Sequence, residues 1–198
     1  MTAEPESVLD FWLGPTGNAA EIAGRQRTLW FGKSAANDQA VTERFAAALV
    51  AATTGQFDHW AHTPRGRLAL VIVLDQFPHH IHRDRPQVFA TDPQAQGQRL
   101  RVGGEDRQLA AIERVFLYLP LEHAESLAMQ ARSVSLYEQL AHEAAADERA
   151  LFDGFLDYAR KHRDVVARFG RFPHRNAILE RPSTPDELEF LKQPGSRF

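Results

Sequence analysis

The sequence contains no cysteine. That absence excludes disulfides, thiolate nucleophiles and cysteine zinc sites, and it suits a reducing compartment. An excess of positive charge is missing as well: 23 Lys and Arg face 26 Asp and Glu, a formal net charge of −3. Such a balance lacks the basic footprint of a nucleic-acid partner. No long hydrophobic run occurs. The longest, LALVIVL at 68–74, falls well short of the roughly 20 residues a bilayer span requires. The opening MTAEPESVLDFW has no basic segment ahead of its apolar residues, unlike a secretory signal. We therefore expect a cytoplasmic protein with neither a nucleic-acid nor a membrane partner. His-Glu-x-x-His, Gly-rich phosphate loops and Gly-x-Ser-x-Gly elbows are also absent, so no metal and no cofactor is expected.

Alternating strand patterns and Asn-Gly or Asp-Gly hairpin turns are missing too, and helix signals recur from end to end. Pro5 and Gly14 bracket a first helix, and Asn18 can cap a second that carries Trp30 and Phe31 before Gly32. Asn37 or Asp38 can open a third, with Gly55 as its stop. Thr63-Pro64 is a cap followed by proline at the first helical position, and the helix it starts ends at Pro78. Thr91-Asp92-Pro93 opens another, stopped by Gly103-Gly104, and Asp106 begins one that runs to Pro120. Residues 121–145 and 147–169 read as two long helices, the second interrupted by Gly154, and Thr184-Pro185 with Glu187 is a capping box. The expectation is one all-α domain over 1–198 with about eight to ten helices. A chain of this length can bury roughly 70% of its unfolded surface without staples. No repeat period is visible by eye.

Three polar residues fall on faces that should point inward. In 147–169, His162 lies in the stripe of Leu151, Phe155, Tyr158, Val165, Val166 and Phe169. In 121–145, His123 shares a face with Leu127, Gln130, Val134 and Tyr137, in what reads as a first turn, where the helix dipole disfavours an imidazolium. Asp75 lies within about 60° of Leu68, Val71 and Ile72 on the wheel of an all-round apolar helix. A buried carboxylate must be paired or protonated. For each of the three, a packing role competes with a functional one.

The stretch FGRFPHRN at 169–176 ends a helix on rings and cations without a local acid, and FPHR within it has a near copy, FPHH, at 77–80. Gly170 permits a left-handed cap. Phe172 can anchor the turn while Arg171, His174 and Arg175 project together, and arginine forks suit carboxylate or phosphate. An arginine staple to Asp75 or Glu122 is the alternative. HHIH at 79–82 reads as exposed, and the pairs in HWAH at 59–62 and EQLAH at 138–142 offer too few ligands for a metal.

VLDFWLG, WFGKS, RGRLALVIVLDQFPHHIHR, FATDPQA, RVFLYLPLEHAES, FLDYARKHRDVVARFGRFPHRNAIL and the ending FLKQPGSRF resemble, in order and spacing, the bacterial family known as domain of unknown function 924. The resemblance covers about residue 7 to 198, with LDQFP and FGRFPHRN as its most specific pieces. It implies a compact tetratricopeptide-repeat-like array of antiparallel helix pairs and brings no accepted reaction or ligand. Its pattern after Phe-Pro is Arg-Asn, where this chain has His79-His80.

Three functional readings follow. In the first, an Arg/His/aromatic-lined cleft binds a small acidic molecule or peptide carboxylate through His79, Arg171, His174 and Arg175, with Trp30, Phe77 and Tyr118 as walls. In the second, Asp75 orients His123, His162 or His174 for acid–base or hydrolytic chemistry on an acidic metabolite. In the third, the polar cluster only specifies helix packing.

Overall fold

A computed structural model of the protein describes residues 3–100 and 104–196. Prolines and side-chain caps punctuate this chain into helices, and no strand occurs among the described residues. Helix α1 (Pro5–Leu13) starts on its proline and stops at Gly14, whose φ of 72° suits only glycine without strain. Helix α2 (Ala19–Phe31) begins with the reciprocal Asn18–Glu21 capping box. Helix α3 (Ala35–Thr53) starts earlier than Asn37, because Ser34 Oγ accepts the Asn37 N–H and caps it. Thr63 caps α4 (Pro64–Val71). The helices α6 (Asp92–Leu100) and α10 (Pro185–Phe190) also begin at the expected places. Gly103, read as part of a stop, lies outside the described residues.

Between α4 and α5 (Pro78–Ile81) the chain forms a single π turn, Ile72–Gln76. The Phe77 N–H donates to the Ile72 carbonyl at 3.1 Å, one residue further back than in an α-helix. Pro78 explains the break: it has no N–H for the Leu74 carbonyl. The Thr91 hydroxyl donates to that carbonyl instead, at 2.5 Å. Asp75 and Gln76 occupy this wider turn. Isolated π turns often mark functional sites.

The reading of 121–145 as one helix is corrected. Helix α7 (Ala111–Glu122) passes through Pro120, and α8 (Leu127–Glu143) starts after Ser126. Pro120 is tolerated because it sits in the last turn and removes one backbone bond. The end of α7 is capped from α8, where buried Gln130 Nε2 donates to the carbonyls of Glu122 and Ala124 at 2.5 and 2.9 Å. His123 therefore ends a helix rather than starting one. Helix α9 (Arg149–Phe169) runs past Gly154 without interruption and ends at Gly170, φ 73°.

Helix α4 and the π turn form the centre. Residues Leu68 to Val73 are fully buried, and α4 packs against α1, α6 and α7. Phe45 stacks on Phe77 and Trp30 meets Phe116, both with ring centroids 4.6 Å apart. Consecutive helices pair in α7, α8 and α9. A second small core of Val165, Val166 and Phe172, with Phe169 and Phe190 against it, fastens the C-terminal segment. Among the described residues no helix is long and apolar enough to cross a membrane.

Candidate functional site

The wheel position of Asp75 and the end of α7 meet in space. Asp75 is 1% exposed. Its Oδ1 accepts from His123 Nδ1 at 3.0 Å, and its Oδ2 accepts from Gln76 Nε2 at 2.6 Å. Burial pushes the Asp75 carboxyl up, but the charge and hydrogen bond of His123 outweigh it and hold the group below the usual range. Burial likewise pushes His123 down, and Asp75 more than compensates, so the imidazolium is favoured. The C-terminal end of α7 also favours a cation, the reverse of what a first-turn position would do. His123 is the accessible member of the pair, with 16% of its side chain exposed against none of Asp75.

The two Phe-Pro turns converge on this pair. In both FPHH and FPHR the phenylalanine, the proline and the fourth residue are buried while the histidine is part-exposed. His79 stands 5.5 Å from His123, centroid to centroid. Phe89, in the 3-10 turn Pro86–Phe89, lies 6.2 Å from His79 and 4.3 Å from the guanidinium carbon of Arg175. The Phe172 ring lies 4.7 Å from the same guanidinium carbon. Arg175 Nη1 donates to Asp92 Oδ2 at 3.1 Å, so the staple partner is Asp92 rather than Asp75 or Glu122. His174 packs on Phe172 at 5.6 Å.

Behind His123 the ring of His162 follows at 6.4 Å. Its Nδ1 donates to the Tyr158 carbonyl at 2.8 Å and lies 3.2 Å from Glu122 Oε1. Donation from Nδ1 leaves Nε2 as an acceptor. Burial pushes His162 down to about 3 and Glu122 up to about 8, so at neutral pH this contact joins a neutral imidazole to a carboxylic acid. Burial, reinforced by neighbouring cations, also holds His79 at about 3 and His174 at about 4. Burial raises Asp92 to about 6, with Arg175 opposing. The charges near pH 7 are thus His123 and Arg175 against Asp75 and Asp92.

Other expected site residues stand elsewhere. Arg171 turns away to α10, where it forms a two-pronged pair with Glu187 at 2.7 and 2.8 Å. It lines a separate cleft of about 410 Å³ with Arg168, Phe169, Thr184, Asp186 and Glu187. Trp30 and Phe77 are buried in the aromatic core, Trp30 donating to the Trp12 carbonyl. Tyr118 donates to Asp106 Oδ2 at 2.6 Å and packs on Tyr137. HHIH is not exposed as a block: His80 is 5% exposed and bonded to Asp38 at 2.8 Å, because α5 packs on α3. Asp92 and Phe89 were missed because FATDPQA reads locally as a helix start. No group of three or more metal-ligating side chains is found among the described residues.

Comparison with known proteins agrees with the resemblance seen in the motifs. No curated protein matches the chain. The structure of a protein of unknown function, ATU0120, from Agrobacterium tumefaciens is similar over 95% of this chain and 96% of that one, with a TM-score of 0.79 at 37% identity. Residues 8–195 match the family described as "Bacterial protein of unknown function (DUF924)", and the chain belongs to that family.

Proposed function

We propose that the cluster around His123 binds a small acidic ligand, one carrying a carboxylate or phosphate, at the edge where His79, His123 and His174 are part-exposed. The His123–Asp75 pair carries this reading. A fully buried carboxylate holds an imidazolium whose ring is the accessible end of the pair, which presents a fixed positive donor to an incoming anion. Arg175 adds a second cation, packed on two aromatic rings. A panel of carboxylates and phosphate esters, screened by thermal unfolding, tests it. A bound acid at one hundred times its Kd should stabilise the protein by about 2.7 kcal/mol. His123→Gln, which keeps a donor toward Asp75 without the charge, should remove that gain. Because the His123 pKa is raised, affinity should also fall as pH rises through it. A panel that leaves the wild-type melting temperature unmoved would defeat the proposal.

A second reading rests on the same pair, since a carboxylate that orients a histidine is a recurring acid–base device. There His123 would act as general acid, Asp75 would position it, and Arg175 would stabilise developing negative charge. In this reading His123→Gln loses turnover of an acid identified by the screen while still binding it, whereas in the first reading the variant loses the binding itself.

A further inference from the structure

The Arg175–Asp92 pair leaves two groups unanswered. Both residues are more than nine-tenths buried, with 7% and 8% of their surface exposed. They meet through one nitrogen and one oxygen, Nη1 and Oδ2. Asp92 Oδ1, an acceptor, and Arg175 Nε, a donor, have no hydrogen-bond partner among the described residues. Buried polar atoms are nearly always satisfied, and a missing partner is costly. A ligand that fits must therefore bring a donor as well as an acceptor.

Charge makes the same demand. His123 faces Asp75, and Arg175 faces Asp92, so the cations of the cluster are already answered. A simple anion would add a third negative charge beside two carboxylates in a largely buried place, where an unbalanced charge is expensive. A molecule with its own positive group would not.

We infer that the ligand is a 2-amino acid, its carboxylate held by His123 and Arg175 Nε and its ammonium group accepted by Asp92 Oδ1. This rests on the reading of the cluster as an acid-binding site and narrows it to a zwitterion. A site built around a buried acceptor discriminates strongly against an analogue that lacks the donor.

Matched pairs of ligands provide the test. Wild-type protein is titrated, by ligand-observed NMR, with the common amino acids and with their desamino counterparts, such as propionate for alanine, glutarate for glutamate and 3-phenylpropionate for phenylalanine. We expect an amino acid to bind about tenfold or more tighter than its counterpart, and Asp92→Asn to erase that difference. The comparison on the wild type decides the matter even if the variant does not fold. Equal binding of the paired acids, or binding of phosphate esters alone, overturns the amino-acid inference and leaves the acid-binding reading standing. No binding from any of these sets overturns both.

Discussion

With 1% of its surface exposed, Asp75 stays charged because His123 supplies an opposite charge, whereas Glu122, 4% exposed, is held as the neutral acid beside the neutral ring of His162. The two carboxyls differ in partner, not in depth. Asp75→Asn leaves the His123 cation without its counter-charge, and urea denaturation should show a loss of about 3 kcal/mol, the lower end for a broken buried pair because His123 is partly exposed. His162 gives a prediction of another kind. Its folded pKa lies near 3, below the ordinary 6.5, so the unfolded chain takes up a proton that the folded chain refuses. Stability from this group is present above 6.5 and is lost as pH falls toward 3. The stability difference between wild type and His162→Gln should therefore shift by about 1.4 kcal/mol per pH unit across that window, against the wild type. A flat difference would mean that the ring is not held neutral. Much of this was legible beforehand, since helical spacing marked Asp75, His123 and His162 as inward-facing. Which of its three candidate histidines Asp75 meets was not legible, nor was Asp92 as the partner of Arg175, because hydrogen bonds spanning 48 and 83 positions leave no local pattern.

The elements that place these residues are irregular beside the cluster, and each irregularity has a physical cause. The π turn at Ile72–Gln76 exists because Pro78 has no N–H, and Thr91 satisfies the carbonyl left over. Thr91→Val keeps the shape and removes the donor, which should cost about 2 kcal/mol for one unpaired buried acceptor. Gly170 closes α9 with φ 73° in open space, so Gly170→Ala should cost only the backbone strain, about 1 kcal/mol. A much larger loss would point to contacts beyond the backbone. Caps and prolines in the sequence predicted most helix starts, since Asn18, Thr63 and Thr184 act through neighbours three residues away. The end of α7 was misread because its cap, Gln130, comes from the next helix and Pro120 looks like a terminator. That misreading reversed the expected charge of His123. A helix boundary shifted by a few residues was enough.

At the scale of the whole molecule, the all-α architecture follows from the helix signals, but the meeting of the two Phe-Pro turns does not. The C-terminal segment reaches the cluster through a small core of its own; Arg171 forks onto Glu187 within it, and the Arg181 fork on Glu125 and the Arg175–Asp92 pair tie it to the rest. Amide exchange should therefore open residues 171–196 before the core around α4, and Arg181→Met should speed that opening without altering exchange in α4. Uniform exchange across both regions would show that the segment unfolds only with the rest.

Order of synthesis gives this layout another meaning. Asp92 is made 83 positions before Arg175, and Asp75 is made 48 before His123. A growing chain thus carries Asp75 unmatched until α7 is complete, and Asp92 unmatched until α7, α8 and α9 have all emerged. The cluster closes only once Arg175 has emerged. A truncated product could bury its apolar helices and still be left with Asp92 uncancelled. Completion of the cluster thus waits on the segment that follows α9.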